Sequence, residues 1–261
     1  MTYKVLFLDI DGTILKPDHT YAQSTRDAIL QVQKQGIEVF IATGRPIHEI
    51  RELAEELNID SFIGYNGALA LFNEETIVDE PMHEETVKKM VQLALQHNHE
   101  VIMYTNGKNY LTNPESSISK HFAEAFQMTK NHPYTYEVAG QILGMTIMNL
   151  EPEDSALYQF DPTIRLSQVN VEGVKHAYDI IRTSVNKGEA IKKLLERLNI
   201  EKEEAIAFGD GMNDKEMLQA AGASFAMGNA ADELEQYAKH QTTSVNEDGI
   251  FNGLKKLGLV K

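Results

Sequence analysis

Two aspartates two residues apart close the run Val5-Leu6-Phe7-Leu8-Asp9-Ile10-Asp11-Gly12-Thr13, and that spacing is the first sign of chemistry in the chain. On an extended backbone residues i and i+2 project to one side, so Asp9 and Asp11 start out directed toward a common place. Two such carboxylates repel unless a cation or a shared proton lies between them. Two more acids, Asp210 and Asp214, stand in Gly209-Asp210-Gly211-Met212-Asn213-Asp214, after a second apolar run, Ala205-Ile206-Ala207-Phe208. Carboxylate oxygens without a histidine or cysteine cluster suit a hard cation, and Mg²⁺ in particular. Lys187 stands where a helix begins, a place where the macrodipole disfavours a cation by about 0.3–1 kcal/mol, and that misplacement points to a bound anion.

The elements that must position these groups share one pattern, an apolar run followed by small and polar residues and then an amphipathic helix. Gly36-Ile37-Glu38-Val39-Phe40-Ile41-Ala42 leads into Thr43-Gly44-Arg45-Pro46, and Ser61-Phe62-Ile63-Gly64-Tyr65 leads into Asn66-Gly67-Ala68. Short β-rich runs alternating with helices predict an α/β fold with a Rossmann-like parallel sheet, whose ligands bind beyond the carboxyl ends of the strands. The spacing predicts a helix capped by Ser24 and ending before Gly36. A second starts at Pro46 with Ile47, Ile50, Ala54 and Leu57 on one face, and a third starts at Gly188 with Ile191, Leu194, Leu195 and Leu198.

The four polar clusters resemble the signature motifs of the haloacid dehalogenase superfamily of phosphohydrolases. Asp9-Ile10-Asp11-Gly12-Thr13 matches the first motif, Thr43-Gly44-Arg45 the second, Lys187-Gly188 the third and Gly209-Asp210-Gly211-Met212-Asn213-Asp214 the fourth. Their order, and the long gap between the second and third, resemble the Cof-type subfamily, which carries an inserted α/β cap there. Asn66-Gly67-Ala68 and Glu247-Asp248-Gly249-Ile250 are further echoes of it.

The resemblance implies a Mg²⁺-dependent phosphatase acting on a phosphomonoester of a small metabolite, such as a sugar phosphate, a phosphorylated cofactor or a nucleotide. Phosphoryl transfer needs an in-line nucleophile, a cation and donors around the oxygens. Asp9 is the expected nucleophile, forming an aspartyl phosphate, and Asp11 the expected acid toward the leaving oxygen and base toward water. In the family pattern Asp9 and Asp210 bind the metal by side chain and Asp11 by its backbone carbonyl, while Asn213 and Asp214 orient ligands or waters. Thr43 and Lys187 would supply donors to the phosphoryl group, with Gly44 and Asn213 completing its binding. A phosphomutase would use the same residues. A signalling receiver also combines Asp, Thr, Lys and Mg²⁺ at strand ends, but it sets its acidic pair and its phosphoaccepting Asp on different strands.

The expected division is a catalytic core of residues 1–81 and 185–261 around a cap of residues 82–184, the cap setting substrate specificity and closing as a lid. Its first helix carries Val87, Met90, Val91, Ala94 and Leu95 on one face, and strands are expected near Val101-Ile102-Met103-Tyr104 and from Ile142 to Met148. The chain has 261 residues, with 24 Lys and Arg against 39 Asp and Glu and a net charge of −15, which speaks against a nucleic-acid partner held by phosphate contacts. It has no cysteine, which excludes disulfides and thiolate metal sites. The first strand begins so early that a signal peptide is not expected, and no apolar run approaches the roughly 18 residues of a membrane span. A cytoplasmic protein is expected, its histidines at the surface and its methionines in the core.

Overall fold

Val5, Leu6, Phe7 and Leu8 are all fully buried, as a strand covered on both faces demands. In the computed structural model, which describes residues 2–169, 171 and 173–261, they form β1 (Val5–Leu8). The chain continues through α1 (Gln23–Gln33), β2 (Glu38–Ala42), α2 (Arg51–Leu57), β3 (Ser61–Gly64), β4 (Leu69–Phe72) and β5 (Glu75–Asp79). Next come α3 (Glu84–Gln96), β6 (Glu100–Tyr104), β7 (Asn109–Leu111), α4 (Ser117–Ala125), β8 (Asn131–Pro133), β9 (Gly144–Met148), β10 (Ile164–Gln168) and β11 (Tyr178–Arg182). The last elements are α5 (Lys187–Leu198), β12 (Ala205–Gly209), α6 (Lys215–Ala220), β13 (Ala223–Ala226), α7 (Asp232–Glu235), β14 (His240–Gln241) and α8 (Gly249–Lys256).

The chain forms two units. The first comprises Met1–Gly44, Arg51–Asp79 and Asn186–Lys261, and the second Arg45–Ile50 and Glu80–Val185. The first unit holds an eight-stranded sheet in the order β14-β13-β12-β1-β2-β3-β4-β5. Its pairings from β14 to β3 are parallel, the doubly wound α/β arrangement expected from the sequence. The sheet also extends through antiparallel β4 and β5, which no alternation in the sequence announces. One face packs on α5 and α6, where Phe7, Phe40, Ile191, Leu194 and Met217 form a continuous core. Polar clusters begin just past four strand ends, Asp9 after β1, Thr43 after β2, Asn66 after β3 and Asp210 after β12, whereas Lys187 opens α5.

The second unit carries a six-stranded sheet in the order β10-β11-β9-β6-β7-β8. Alternation sorts its side chains: Val101, Met103, Met145 and Ile147 join α3, while Ile102 and Met148 turn to the other face with Phe122 of α4.

Several local expectations need correction. Ser24 does not cap α1, which starts at Gln23 behind Ala22; its hydroxyl instead donates to Asp248 at 2.5 Å. Pro46 precedes a 3₁₀ turn, Ile47–Glu49, rather than a continuous helix, because that short segment packs with the second unit. Leu95 is 55% exposed and leaves the α3 stripe to Val87, Met90, Val91 and Ala94. The strand expected from Ile142 starts at Gly144. His48 and His99 are buried among polar partners rather than at the surface, and Met212 is exposed. Among the described residues no helix is long and apolar enough to cross a membrane.

Candidate active site

Asp9 leaves β1 at the middle of the sheet, its amide continuing the ladder to the Phe208 carbonyl at 3.1 Å. Its carboxylate is nearly buried, and it meets Lys187, whose Nζ donates to Asp9 Oδ1 at 2.6 Å and to Asp214 Oδ1 at 2.6 Å. Lys187 and Asp214 are wholly buried. Lys187 is the first residue of α5, whose cap is Asn186; the Asn186 side chain accepts from the Glu189 amide at 2.9 Å. A cation at a helix N-terminus is therefore held by two carboxylates that outweigh the dipole. Close helix packing brings it there, since a Cβ on Gly188 would lie 2.4 Å from the Glu216 carbonyl oxygen of α6.

Asp214 is fixed on its other side as well, because Oδ2 accepts from the amides of Asp210 and Gly211 at 3.1 and 3.0 Å. That bond pattern folds the loop after β12 and holds Asp210 in place. Asp210 Oδ1 accepts from the Thr13 hydroxyl at 3.3 Å and Oδ2 from Asn229 at 3.2 Å. Asn229 also donates to the Gly12 carbonyl at 2.9 Å and accepts from the Val245 amide at 2.8 Å, so it ties three loops together. Gly12 is required here: it has φ +81°, and a Cβ would lie 2.1 Å from Asp210 Oδ2.

Carboxylate oxygens of Asp9, Asp210 and Asp214 lie within 4.8 Å of one another. Three carboxylates face one ammonium, and burial together with the excess charge raises the pKa of both Asp9 and Asp210. Burial, then Asp214, push the Asp9 carboxyl well above the usual carboxylate range despite Lys187. Burial and Asp214 push Asp210 up to about 7, with Thr13 pulling the other way. Burial alone would favour neutral Lys187, but Asp214 and Asp9 keep its ammonium above the ordinary lysine value. Such a set of hard, charge-rich oxygens fits a divalent cation.

The remaining predicted residues are placed as follows. Asp11 is exposed and its carboxylate stands outside the three-acid group; its backbone forms a bridge with Leu15. Thr43 is buried, its amide donating to the Ile63 carbonyl at 2.8 Å and its carbonyl accepting from the Asn66 amide at 3.1 Å. Gly44 approaches Asn66 so closely that a Cβ would lie 3.0 Å from Asn66 Oδ1, and that oxygen accepts from Asn213 at 3.3 Å. Thr43, Gly44, Asn66 and Asn213 thus make a second polar group. Asn229 and the contact of Thr13 with Asp210 escaped the sequence reading. The signal was present: Ala223-Ser224-Phe225-Ala226 runs into Met227-Gly228-Asn229, the same strand-then-polar pattern.

A doubly wound sheet with acids gathered at its strand ends around a buried lysine defines the class. The chain belongs to the haloacid dehalogenase-like hydrolase family, which it matches over residues 6–254, and within that family it is a Cof-type phosphatase. It is 33% identical to YkrA of Bacillus subtilis (strain 168), over 100% of both chains. It is 27% identical to 5-amino-6-(5-phospho-D-ribitylamino)uracil phosphatase YitU of the same organism, over 97% of this chain and 96% of that one. Among solved structures it is similar to the subclass IIB sugar phosphatase BT4131, with a TM-score of 0.83 and 28% identity over 98% of this chain and 100% of that chain.

Proposed function

We propose that the chain hydrolyses the phosphomonoester of a small metabolite through an aspartyl phosphate on Asp9. The observation that carries this reading is the contact of Asp9 Oδ1 with Lys187 at 2.6 Å, which leaves Oδ2 as the nucleophilic oxygen. Asp9 attacks phosphorus as the ester P–O bond breaks, and Asp11 gives its proton to the departing alkoxide. A water then loses a proton to Asp11 and attacks the same phosphorus, releasing inorganic phosphate and regenerating both carboxyl groups. The exposed position of Asp11 suits an acid that must reach both leaving group and water. Thr43 and Lys187 stabilise the charge spread over the phosphoryl oxygens, and Asn213 and Gly44 complete its binding.

Asp9, Asp210 and the Asp11 carbonyl would hold Mg²⁺, with Asp214 and Asn213 orienting the ligands around it. When bound, the ion supplies positive charge to the phosphoryl oxygens. Asp214 is already committed to Lys187 and two amides, which suits an orienting role. Residues 82–184 act as the specificity cap. YitU is named as the phosphatase of 5-amino-6-(5-phospho-D-ribitylamino)uracil and BT4131 as a sugar phosphatase, which supports a small phosphomonoester as substrate.

Phosphate release from a panel of phosphorylated metabolites tests this. Chelation with EDTA should abolish release and Mg²⁺ should restore it, while Asp210→Asn should weaken Mg²⁺ binding in calorimetry. Full turnover in a chelated sample would contradict the metal requirement, and transfer of phosphate to a second hydroxyl without release would make the enzyme a mutase.

A further inference from the structure

Asp210 is held differently from the other two acids. The Lys187 ammonium reaches Asp9 Oδ1 and Asp214 Oδ1, both at 2.6 Å, whereas the hydrogen-bond partners of the Asp210 carboxylate are neutral. Its Oδ1 takes the Thr13 hydroxyl at 3.3 Å and its Oδ2 the Asn229 amide at 3.2 Å. A lysine in the place of Asn229 would compete with a divalent ion for this carboxylate. A neutral donor fixes the same oxygen and supplies no competing charge.

The sheet brings Asn229 to this place. β13 lies parallel to β12 with Ala226 opposite Gly209, and the Met227 amide extends the ladder to the Gly209 carbonyl at 3.0 Å. Asn229 then follows β13 beside Asp210, which follows β12. Its Nδ2 carries two protons, given to the Gly12 carbonyl at 2.9 Å and to Asp210 Oδ2, and its Oδ1 accepts from the Val245 amide at 2.8 Å. That last bond sets the direction of the other two. Turned over, the side chain would face a carbonyl and a carboxylate with its own oxygen and an N–H with its NH₂.

The Val245 amide comes from a turn marked in the sequence by Glu247-Asp248-Gly249-Ile250. The Gly228 amide donates to the Thr243 carbonyl at 3.0 Å, and a Cβ on Gly228 would lie 2.7 Å from the Ser244 nitrogen, so only glycine lets the two segments come so close. Glu247 Oε2 accepts from the Ser244 hydroxyl at 2.8 Å, and the Gly249 amide returns to the Ser244 carbonyl at 3.1 Å. These bonds close the 3₁₀ turn Val245–Glu247. Val245 is its first residue, where an amide has no acceptor within the turn, and Asn229 supplies one.

We infer that Asn229 is a positioning residue for the metal site, aimed by the Val245 amide and holding Asp210 and the peptide after Asp11 in place without adding charge. The turn at 245–250 serves the site by presenting that amide. This rests on the Mg²⁺ reading above and deepens it.

Three variants of the full chain test it. Asn229→Ala removes both donors. Val245→Pro removes the aiming N–H, and the backbone accommodates it: Ser244 has φ −68° and ψ 165°, the extended form a residue before proline adopts, and proline suits a first helical position. Val245→Ala keeps the N–H and controls for the lost side chain. After circular dichroism confirms folding, Mg²⁺ is titrated into each metal-free protein by calorimetry. Asn229→Ala should weaken Mg²⁺ binding by about 10- to 100-fold, as for other residues that orient metal ligands. Val245→Pro should weaken it by about two- to tenfold, the worth of one hydrogen bond, and Val245→Ala should match the wild type. Hydrogen exchange of the metal-free protein should quicken in Asn229→Ala at the Gly12 and Thr13 amides, which bond the Leu15 and Ile10 carbonyls at 2.9 and 3.2 Å. A folded Asn229→Ala that binds Mg²⁺ as the wild type does would overturn the assignment, even if it melts earlier. Equal weakening in Val245→Pro and Val245→Ala would overturn the aiming role of the amide. Wild-type protein that takes up no Mg²⁺ would sink the metal reading instead, and the exchange at Gly12 and Thr13 would then decide whether Asn229 places the loop: quickened exchange sustains it and unchanged exchange overturns it.

Discussion

Lys187 Nζ lies 2.6 Å from Asp9 Oδ1, although the two residues are 178 positions apart and the lysine is wholly buried at a helix start. Without Lys187, Asp9 and Asp214 would be buried carboxylates with no cation between them. Lys187→Met keeps the side-chain volume and should destabilise the first unit by about 3–5 kcal/mol, the range for removing one partner of a buried pair. Activity should fall by about two to three orders of magnitude, as when one charge-stabilising donor is lost. Urea unfolding alongside initial rates checks both, and a fully active Lys187→Met enzyme would remove the lysine from the catalytic set.

Gly12 and Asp210 give a second expectation. A methyl group at Gly12 would overlap the Asp210 carboxylate and would also sit at φ +81°. Gly12→Ala should cost about 1–3 kcal/mol in backbone strain, and it should displace Asp210 and weaken Mg²⁺ binding. Calorimetric titration of Mg²⁺ into the folded variant is the measurement, with unchanged affinity counting against the placement of Asp210 at the ion.

Two acids in the second unit should respond to pH with opposite signs. Burial alone would raise Glu49, but hydrogen bonds from His48, Asn109 and the Thr129 amide more than offset it and lower its carboxyl from the usual 4.5 to about 2. Its stabilisation is therefore present above about pH 4.5 and lost as the pH falls toward 2. Asp179 is raised from 3.8 to about 6, so its contribution is fully present below 3.8 and lost as the pH rises through 6. Glu49→Gln should destabilise the unit at pH 7, and Asp179→Asn should stabilise it at pH 8, each by about 1–3 kcal/mol. Hydrogen exchange of the β7 and β9 amides reads the unit locally, and a shared sign for the two variants would contradict the account.

Much of the site was legible because its residues follow buried strands, and a run such as Val5 to Leu8 leaves few alternatives to a central strand. The strand-end positions of Asp9, Thr43 and Asp210 can be read in this way. Asn229 was not assigned, since a single asparagine after a short strand has no chemistry until Gly12 and Asp210 arrive from elsewhere. The segment Arg45–Ile50 misled for a related reason. Local spacing reads it as the start of α2, but His48 Nε2 bonds Asn109 at 3.0 Å and Glu49 accepts from Asn109 at 2.7 Å, contacts that no helical periodicity encodes. In the second unit the hydroxyls of Tyr104 and Thr146 lie 2.8 Å apart and Thr146 donates to Asp179 at 2.5 Å, contacts equally invisible in the sequence because strand register alone brings the three residues into line.

The central claim is that Asp9 carries the phosphoryl group, and rapid acid quenching during turnover followed by peptide mass spectrometry tests it most directly. The account predicts a phosphoryl adduct on the peptide containing Asp9, absent from Asp9→Asn and, once formed, longer-lived in Asp11→Asn, in which water attack is slowed. An adduct on any other residue, or wild-type turnover by Asp9→Asn, would contradict it.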